Sequence, residues 1–149
     1  MQSKVTAKAS IGIQKPINEV FEAIVNPGTM SNYFISRGTE KMEEGKEIRW
    51  EFPEFEGSFP VSVKEVKENE FISFVWDPDS FVEIKLEKLS ENDTVIQVYE
   101  QGHTDDESGI KWAIRQSEGW ANFLACMKAW LEYGIHLRKG AFDFMKHEV

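Results

Sequence analysis

Apolar and polar residues alternate through most of the first two-thirds of the chain. Val5, Ala7, Ala9, Ile11 and Ile13 share one face, with Thr6, Lys8, Ser10 and Gly12 on the other. A period of two predicts a half-buried strand. The period then changes. Pro16 suits the first position of a helix, and Ile17, Val20, Phe21 and Ile24 follow at helical spacing. Asn26-Pro27-Gly28 ends that helix. Thr29 to Phe34 reads as a second short helix presenting Met30, Tyr33 and Phe34. Alternation then resumes in stretches marked by Ile48, Trp50 and Phe52, by Phe59, Val61 and Val63, by Ile72, Phe74 and Trp76, by Val82, Ile84 and Leu86, and by Thr94 to Gln101. Turn signals separate them at Glu44-Gly45, Glu56-Gly57, Glu68-Asn69, Asp77-Pro78-Asp79 and Glu91-Asn92-Asp93. Strands spaced this regularly, each with one polar face, predict an antiparallel sheet with one side wet.

A helical pattern follows. Thr104 and Glu107 have capping-box spacing, but Gly109 interrupts soon after. The reading therefore places a short turn over Thr104–Ser108 and starts the main helix at about Lys111. Arg138 and Lys139 suit the negative end of the helix dipole, and Gly140 suits the left-handed stop. On a helical wheel Trp112, Trp120, Phe123, Leu124, Met127, Trp130, Leu131, Ile135 and Leu137 cover about half the circumference. Lys111, Arg115, Glu118, Asn122, Glu132 and His136 fall opposite. So wide an apolar face predicts a helix lying in a trough, which a curved sheet supplies. The expected class is α+β: an antiparallel sheet of about six or seven strands curved around a long C-terminal helix, with two short helices after the first strand. Residues 1–149 read as one domain with a core of about 5–139. The sequence assigns no role to the extension 140–149.

Composition narrows the function classes. Aromatics make up 13% of the chain, with five Trp and eleven Phe, which implies a thickly packed core or an aromatic-lined cavity. A formal charge of −9 argues against nucleic acid and against an anionic membrane surface as partners. Nothing resembles a signal peptide, and no apolar run approaches the ~20 residues of a membrane span. The single Cys126 excludes an internal disulfide. These features fit a reducing cytoplasm.

The order of elements and several local patterns resemble the START-like, or SRPBCC, superfamily, and within it the bacterial relatives of the activator of heat-shock-protein-90 ATPase. The resemblance rests on the first strand leading into Lys15-Pro16-Ile17-Asn18-Glu19-Val20-Phe21-Glu22-Ala23-Ile24. It rests also on Phe71-Ile72-Ser73-Phe74-Val75-Trp76, on Gly119-Trp120 followed by Leu124, Met127 and Leu131, and on the last strand running into Gly102-His103. It covers residues 5 to 139. One glycine in Glu43-Glu44-Gly45-Lys46 stands where many relatives carry a pair. The resemblance implies a helix-grip fold. It further implies a small hydrophobic ligand held between sheet and helix, or docking onto a chaperone, or an enzyme of the cyclase or hydrolase type using Glu100.

Glu100 is the most informative residue for chemistry. Strict alternation puts it on the helix-facing side with Ile96 and Val98. There a carboxylate could serve as acid, base or polar anchor; a frayed strand end would instead bring it to solvent. Candidate pocket residues are Met30, Phe34, Trp50, Phe74, Trp76, Val98, Glu100, Trp120, Phe123 and Met127, which could equally fill the trough. His103 could reach the pocket mouth. Cys126 reads as a buried, inert thiol. The three histidines lack metal-ligand spacing, no catalytic cluster is spelled out, and no cofactor motif appears. The acidic stretches Glu40–Glu47, Glu51–Glu56 and Asp105-Asp106-Glu107 read as solvated surface or as a docking face for a basic partner. A monomer is the expected state.

Overall fold

The computed structural model describes residues 3–147. Each alternating stretch forms a strand: β1 (Lys4–Ile13), β3 (Glu47–Glu51), β4 (Ser58–Lys67), β5 (Phe71–Asp77), β6 (Ser80–Ser90) and β7 (Asp93–Thr104). A two-residue strand, β2 (Arg37–Gly38), adds a seventh that no alternation announces. The strands make one curved antiparallel sheet in the order β1-β7-β6-β5-β4-β3-β2. Positive φ values at Gly45, Gly57 and Asn69 fall at the turns that sequence marks.

Two short helices, α1 (Ile17–Val25) and α2 (Pro27–Met30), follow β1. Pro16 is the cap of α1, one position before the first helical residue. The second helix starts two residues earlier than expected. The Asn26 side chain accepts from the Gly28 N–H at 2.9 Å and Pro27 fills the first turn. The chain then continues through turns to Phe34. Tyr33 is buried there and donates to the Ala23 carbonyl at 2.8 Å, which ties the turn to α1. Burial pushes its phenol far above the usual value.

The long helix, α3, spans Glu107–Tyr133, so both expected ends are corrected. Asp106 caps it by accepting from the Gly109 N–H at 2.8 Å. Gly109 does not interrupt the helix. It sits in the first turn because the Thr104 carbonyl packs there: a Cβ at this position would lie 1.8 Å from that oxygen. At the other end Gly134 takes the left-handed conformation, φ 65°, and its N–H closes on the carbonyls of Ala129 and Trp130. Ile135 and Leu137 therefore leave the apolar face and are exposed, and Arg138 and Lys139 lie beyond the last turn.

Strand β1 is a sheet edge, and such an edge needs partners for its outward backbone groups. The polar side of α3 supplies them. Ser117 accepts from the Lys8 N–H at 3.1 Å, Lys128 donates to the Gly12 carbonyl at 3.0 Å, and Glu132 accepts from the Gln14 N–H at 3.0 Å. Glu132 is thus a cross-link rather than a solvated residue, and it also pairs with Lys128. Burial acts to raise its pKa. The hydrogen bonds from Lys128 and Gln14, with the charges of Lys128 and Lys15, outweigh that and hold the carboxyl below its usual range.

The helix runs closest to β1 and β7. Toward β3, β4 and β5 the gap is wider, and large side chains fill it. Trp50 and Phe74 lie with ring centroids 5.4 Å apart, Phe74 and Trp120 6.5 Å, and Phe34 and Phe123 4.6 Å. Burying each such ring stabilises by about 2–3 kcal/mol relative to exposure. Phe59, expected on the inner face, is 37% exposed at the rim of this layer.

Two glycines of α3 make opposite predictions. Gly109→Ala forces a clash with the Thr104 carbonyl and is expected to lower stability by at least about 2 kcal/mol in urea unfolding. At Gly119 an added Cβ meets nothing within 4 Å. Gly119→Ala is expected to raise stability by about 1 kcal/mol, the helix propensity difference. Equal effects at the two positions would contradict this assignment of the helix start.

Candidate functional site

Alternation along β7 carries Thr94, Ile96, Val98 and Glu100 to the inner face, and all four are buried. Glu100 pairs in register with Ala7 of β1 and Val82 of β6, so the strand is held on both sides and does not fray. The residue is 1% exposed. A carboxylate so placed must have its lone pairs satisfied. The Trp76 indole N–H donates to Oε2 at 2.8 Å; the Gln116 amide and the Trp120 indole donate to Oε1 at 2.8 and 2.9 Å.

The sequence produces this cluster by simple spacing. Gln116 and Trp120 are four residues apart on α3 and share one face. Trp76 sits where the β5–β6 register shifts, between Phe74 and Asp77. Its ring stacks on that of Trp120, with centroids 5.2 Å apart and planes 26° from parallel. Two indoles thus lie together with both N–H groups turned to one carboxylate. All the donors are neutral. Among the described residues no Lys, Arg or His nitrogen lies within ion-pair distance of Glu100.

Above this cluster opens a groove of about 500 Å³. Glu100, Gln116 and Trp120 lie at one side with Trp112, Arg115 and Gly119. Trp76 and an aromatic layer of Phe34, Phe52, Phe55 and Phe59 complete the lining. Its rings lock edge to face, Phe34 on Phe52 at 5.2 Å and Phe52 on Phe59 at 5.8 Å.

The C-terminal extension contributes to the lining. Phe142 and Met145, the latter in a 3-10 turn over Asp143–His147, line the groove. Arg138 holds this segment in place by pairing with Glu54, and both side chains are nearly buried. Its guanidinium lies 5.2 Å from the centre of the Phe34 ring and 4.6 Å from that of Phe142. Arg138 therefore serves the tail and not the helix dipole. Glu54, which the sequence places in a solvated acidic stretch, is its buried partner. A smaller cleft of about 280 Å³ lies against the same pair, lined by Tyr33, His136 and Phe142 among others.

Of the residues expected to form a pocket, Phe34, Trp76, Glu100 and Trp120 border the groove. Met30, Trp50, Phe74, Val98, Phe123 and Met127 are fully packed in the core beneath it. His103 stacks on Trp112 at 4.1 Å rather than approaching Glu100, and its Nε2 is buried without a partner among the described residues. His136 lies past the helix and packs on Trp130 at 4.6 Å. Burial pushes the Cys126 thiol up, against the opposing charge of Arg138. Sequence reasoning missed Gln116, Phe52, Phe55 and the Glu54–Arg138 pair. Gln116 was findable, since it stands one turn before Trp120 and faces the same way.

Comparison with known proteins agrees with this architecture. The family model for Activator of Hsp90 ATPase homolog 1-like proteins matches residues 14–132, and the chain belongs to that family. The protein SSP2350 from Staphylococcus saprophyticus has a similar structure, with TM-score 0.81 and 28% identity over 90% of this chain and 96% of that one. The Aha1 dimer from Colwellia psychrerythraea superposes with TM-score 0.72 and 17% identity, over 87% of this chain and 98% of that one. The di-domain ARO/CYC protein BexL of the BE-7585A biosynthetic pathway gives TM-score 0.73 and 18% identity over 86% of this chain and 46% of that one. No curated protein matches in sequence. The family match ends at residue 132, so the Arg138 tie and the tail lie outside it.

Removing one partner of the Glu54–Arg138 pair leaves a buried, unpaired charge. Arg138→Ala is expected to cost about 3 kcal/mol in urea unfolding, and Glu54→Leu combined with Arg138→Leu to recover most of that loss. A cost below about 0.5 kcal/mol for Arg138→Ala would show that the pair does not hold the tail.

Proposed function

We propose that this protein binds a small apolar molecule in the groove between the sheet and α3, in the cytoplasm, as a single-domain monomer without a catalytic role. The observation that carries this reading is the combination of size and lining. About 500 Å³ falls within the roughly 300–1,000 Å³ of small-molecule sites. Such sites pair apolar walls with a few placed polar groups, and here Glu100 is the placed group. Phe55 and Phe59, 47% and 37% exposed, give an entering ligand apolar surface to cover.

The cyclase or hydrolase reading has less behind it. Glu100 is bonded to two indoles and an amide, none of which relays a proton at neutral pH. The chaperone-regulating reading draws on the family description and on the acidic surface. It needs no groove.

The test is a titration of isotope-labelled full-length protein with fatty acids, sterols and flat aromatic compounds, followed by amide chemical shifts. Saturable shifts are expected at Trp76, Glu100, Gly119 and Trp120, with small changes at Trp50 and Phe74. Gly119→Leu, which points a side chain into open space, is expected to weaken binding at least about tenfold, since it fills the site. It should unfold at no lower urea concentration than the parent. Absence of saturable shifts across the panel would overturn the reading.

A further inference from the structure

The carboxylate of Glu100 is satisfied as a hydrogen-bond acceptor but not as a charge. Three neutral donors reach it. A carboxylate offers about four lone-pair positions, so one remains, on Oε2, the oxygen bonded only to Trp76. Buried anions elsewhere in this protein have cations: Glu54 has Arg138 and Glu132 has Lys128. Glu100 is the exception among the described residues: it lines the groove without a cation, whereas Glu54, which also borders the groove, has Arg138.

The other charges around the groove do not supply the missing cation. Arg138 is committed to Glu54. Arg115 is exposed, and its guanidinium is not within ion-pair distance of any described carboxylate. Asp77 adds a further acid at the rim. Trp76 is only partly buried and lines the groove beside the carboxylate, and an indole face that is not already stacked attracts cations.

We infer that the ligand of this groove is an organic cation: a protonated amine carried on an apolar, preferably aromatic body. The ammonium group donates to Oε2 of Glu100 and neutralises its charge. The body lies along Trp76, Trp120 and the phenylalanine wall. The inference rests on the groove being a ligand site, as proposed above. It goes further by fixing the sign of the ligand's polar end. A neutral hydroxyl would fill the lone-pair position and leave the charge unmet. A carboxylate ligand would add a second anion to a buried site, which is unfavourable at short range.

The test compares three probes with one body: naphthylethylamine, naphthylethanol and naphthylacetate. Each is titrated against full-length protein at neutral pH and physiological salt by calorimetry, and the Glu100 carboxylate carbon is followed by NMR. The amine is expected to bind at least about tenfold more tightly than the alcohol, as a charge-assisted bond to a desolvated group requires. The acetate is expected to bind most weakly. The Glu100 carbon signal should move further with the amine than with the alcohol. In Glu100→Gln the ratio of amine to alcohol affinity is expected to fall to about one, whatever the affinity of either probe.

Equal or tighter binding of the alcohol or the acetate to the parent protein would overturn the cation inference and leave the groove reading standing. So would an amine preference that survives in Glu100→Gln. Saturable binding of none of the three, together with a silent apolar panel, would remove the groove reading itself. The parent-protein comparison decides the matter even if the variant fails to fold.

Discussion

The structure turns on one buried carboxylate. Glu100 lies in the middle of a strand paired on both sides, facing a layer of tryptophan and phenylalanine. Removing an anion from water costs several kcal/mol unless bonds replace those lost. Trp76, Gln116 and Trp120 meet that cost, and in doing so they become fixed themselves. The consequence is geometric. Trp76 belongs to the sheet and Trp120 to the helix, and one acceptor pins both, so the spacing between sheet and helix is set at this end. The groove opens beside this fixed pair and is lined by both rings.

The rest of the architecture supports the same separation. Ser117, Lys128 and Glu132 hold α3 against the edge strand β1 by backbone hydrogen bonds. The helix is thereby anchored on one side of the sheet, and the aromatic residues of β3, β5 and the turn after α2 fill the wider side. At the open end the tail continues this layer with Phe142 and Met145, and the Arg138–Glu54 pair holds it there. The Activator of Hsp90 ATPase homolog 1-like family match covers the frame from residue 14 to residue 132, without strand β1. No helix of the described residues is long and apolar enough to cross a membrane.

Much of this was legible in the sequence. Alternation located every strand longer than two residues, because each has one wet and one packed face. It also placed Glu100 inward, where residue type alone argues for the surface. The failures have physical causes. The two ends of α3 were misplaced because Gly109 and Gly140 were read as breaks by residue type. The position that needs a left-handed residue is Gly134, and the one that needs a missing side chain, for close approach of Thr104, is Gly109. Glu132 was placed opposite the apolar face and no partner was foreseen, because a helical wheel shows which way a residue points, not that an edge strand waits there. The Glu54–Arg138 pair joins residues far apart in sequence, and no local pattern encodes it. Exposure of Phe55 and Phe59 depends on where the sheet ends, which periodicity does not report.

The most direct measurement of the central claim is hydrogen exchange of the tryptophan indole N–H groups in labelled protein. Trp76 is only partly buried, and its indole proton is the one donated to Oε2 of Glu100. If Glu100 accepts from it as described, the Trp76 and Trp120 indole protons exchange at least about a hundredfold more slowly than those of an unstructured peptide. Exchange of the Trp76 proton near the free-peptide rate would mean that the carboxylate does not hold the two rings together, and the account of the groove would fall with it.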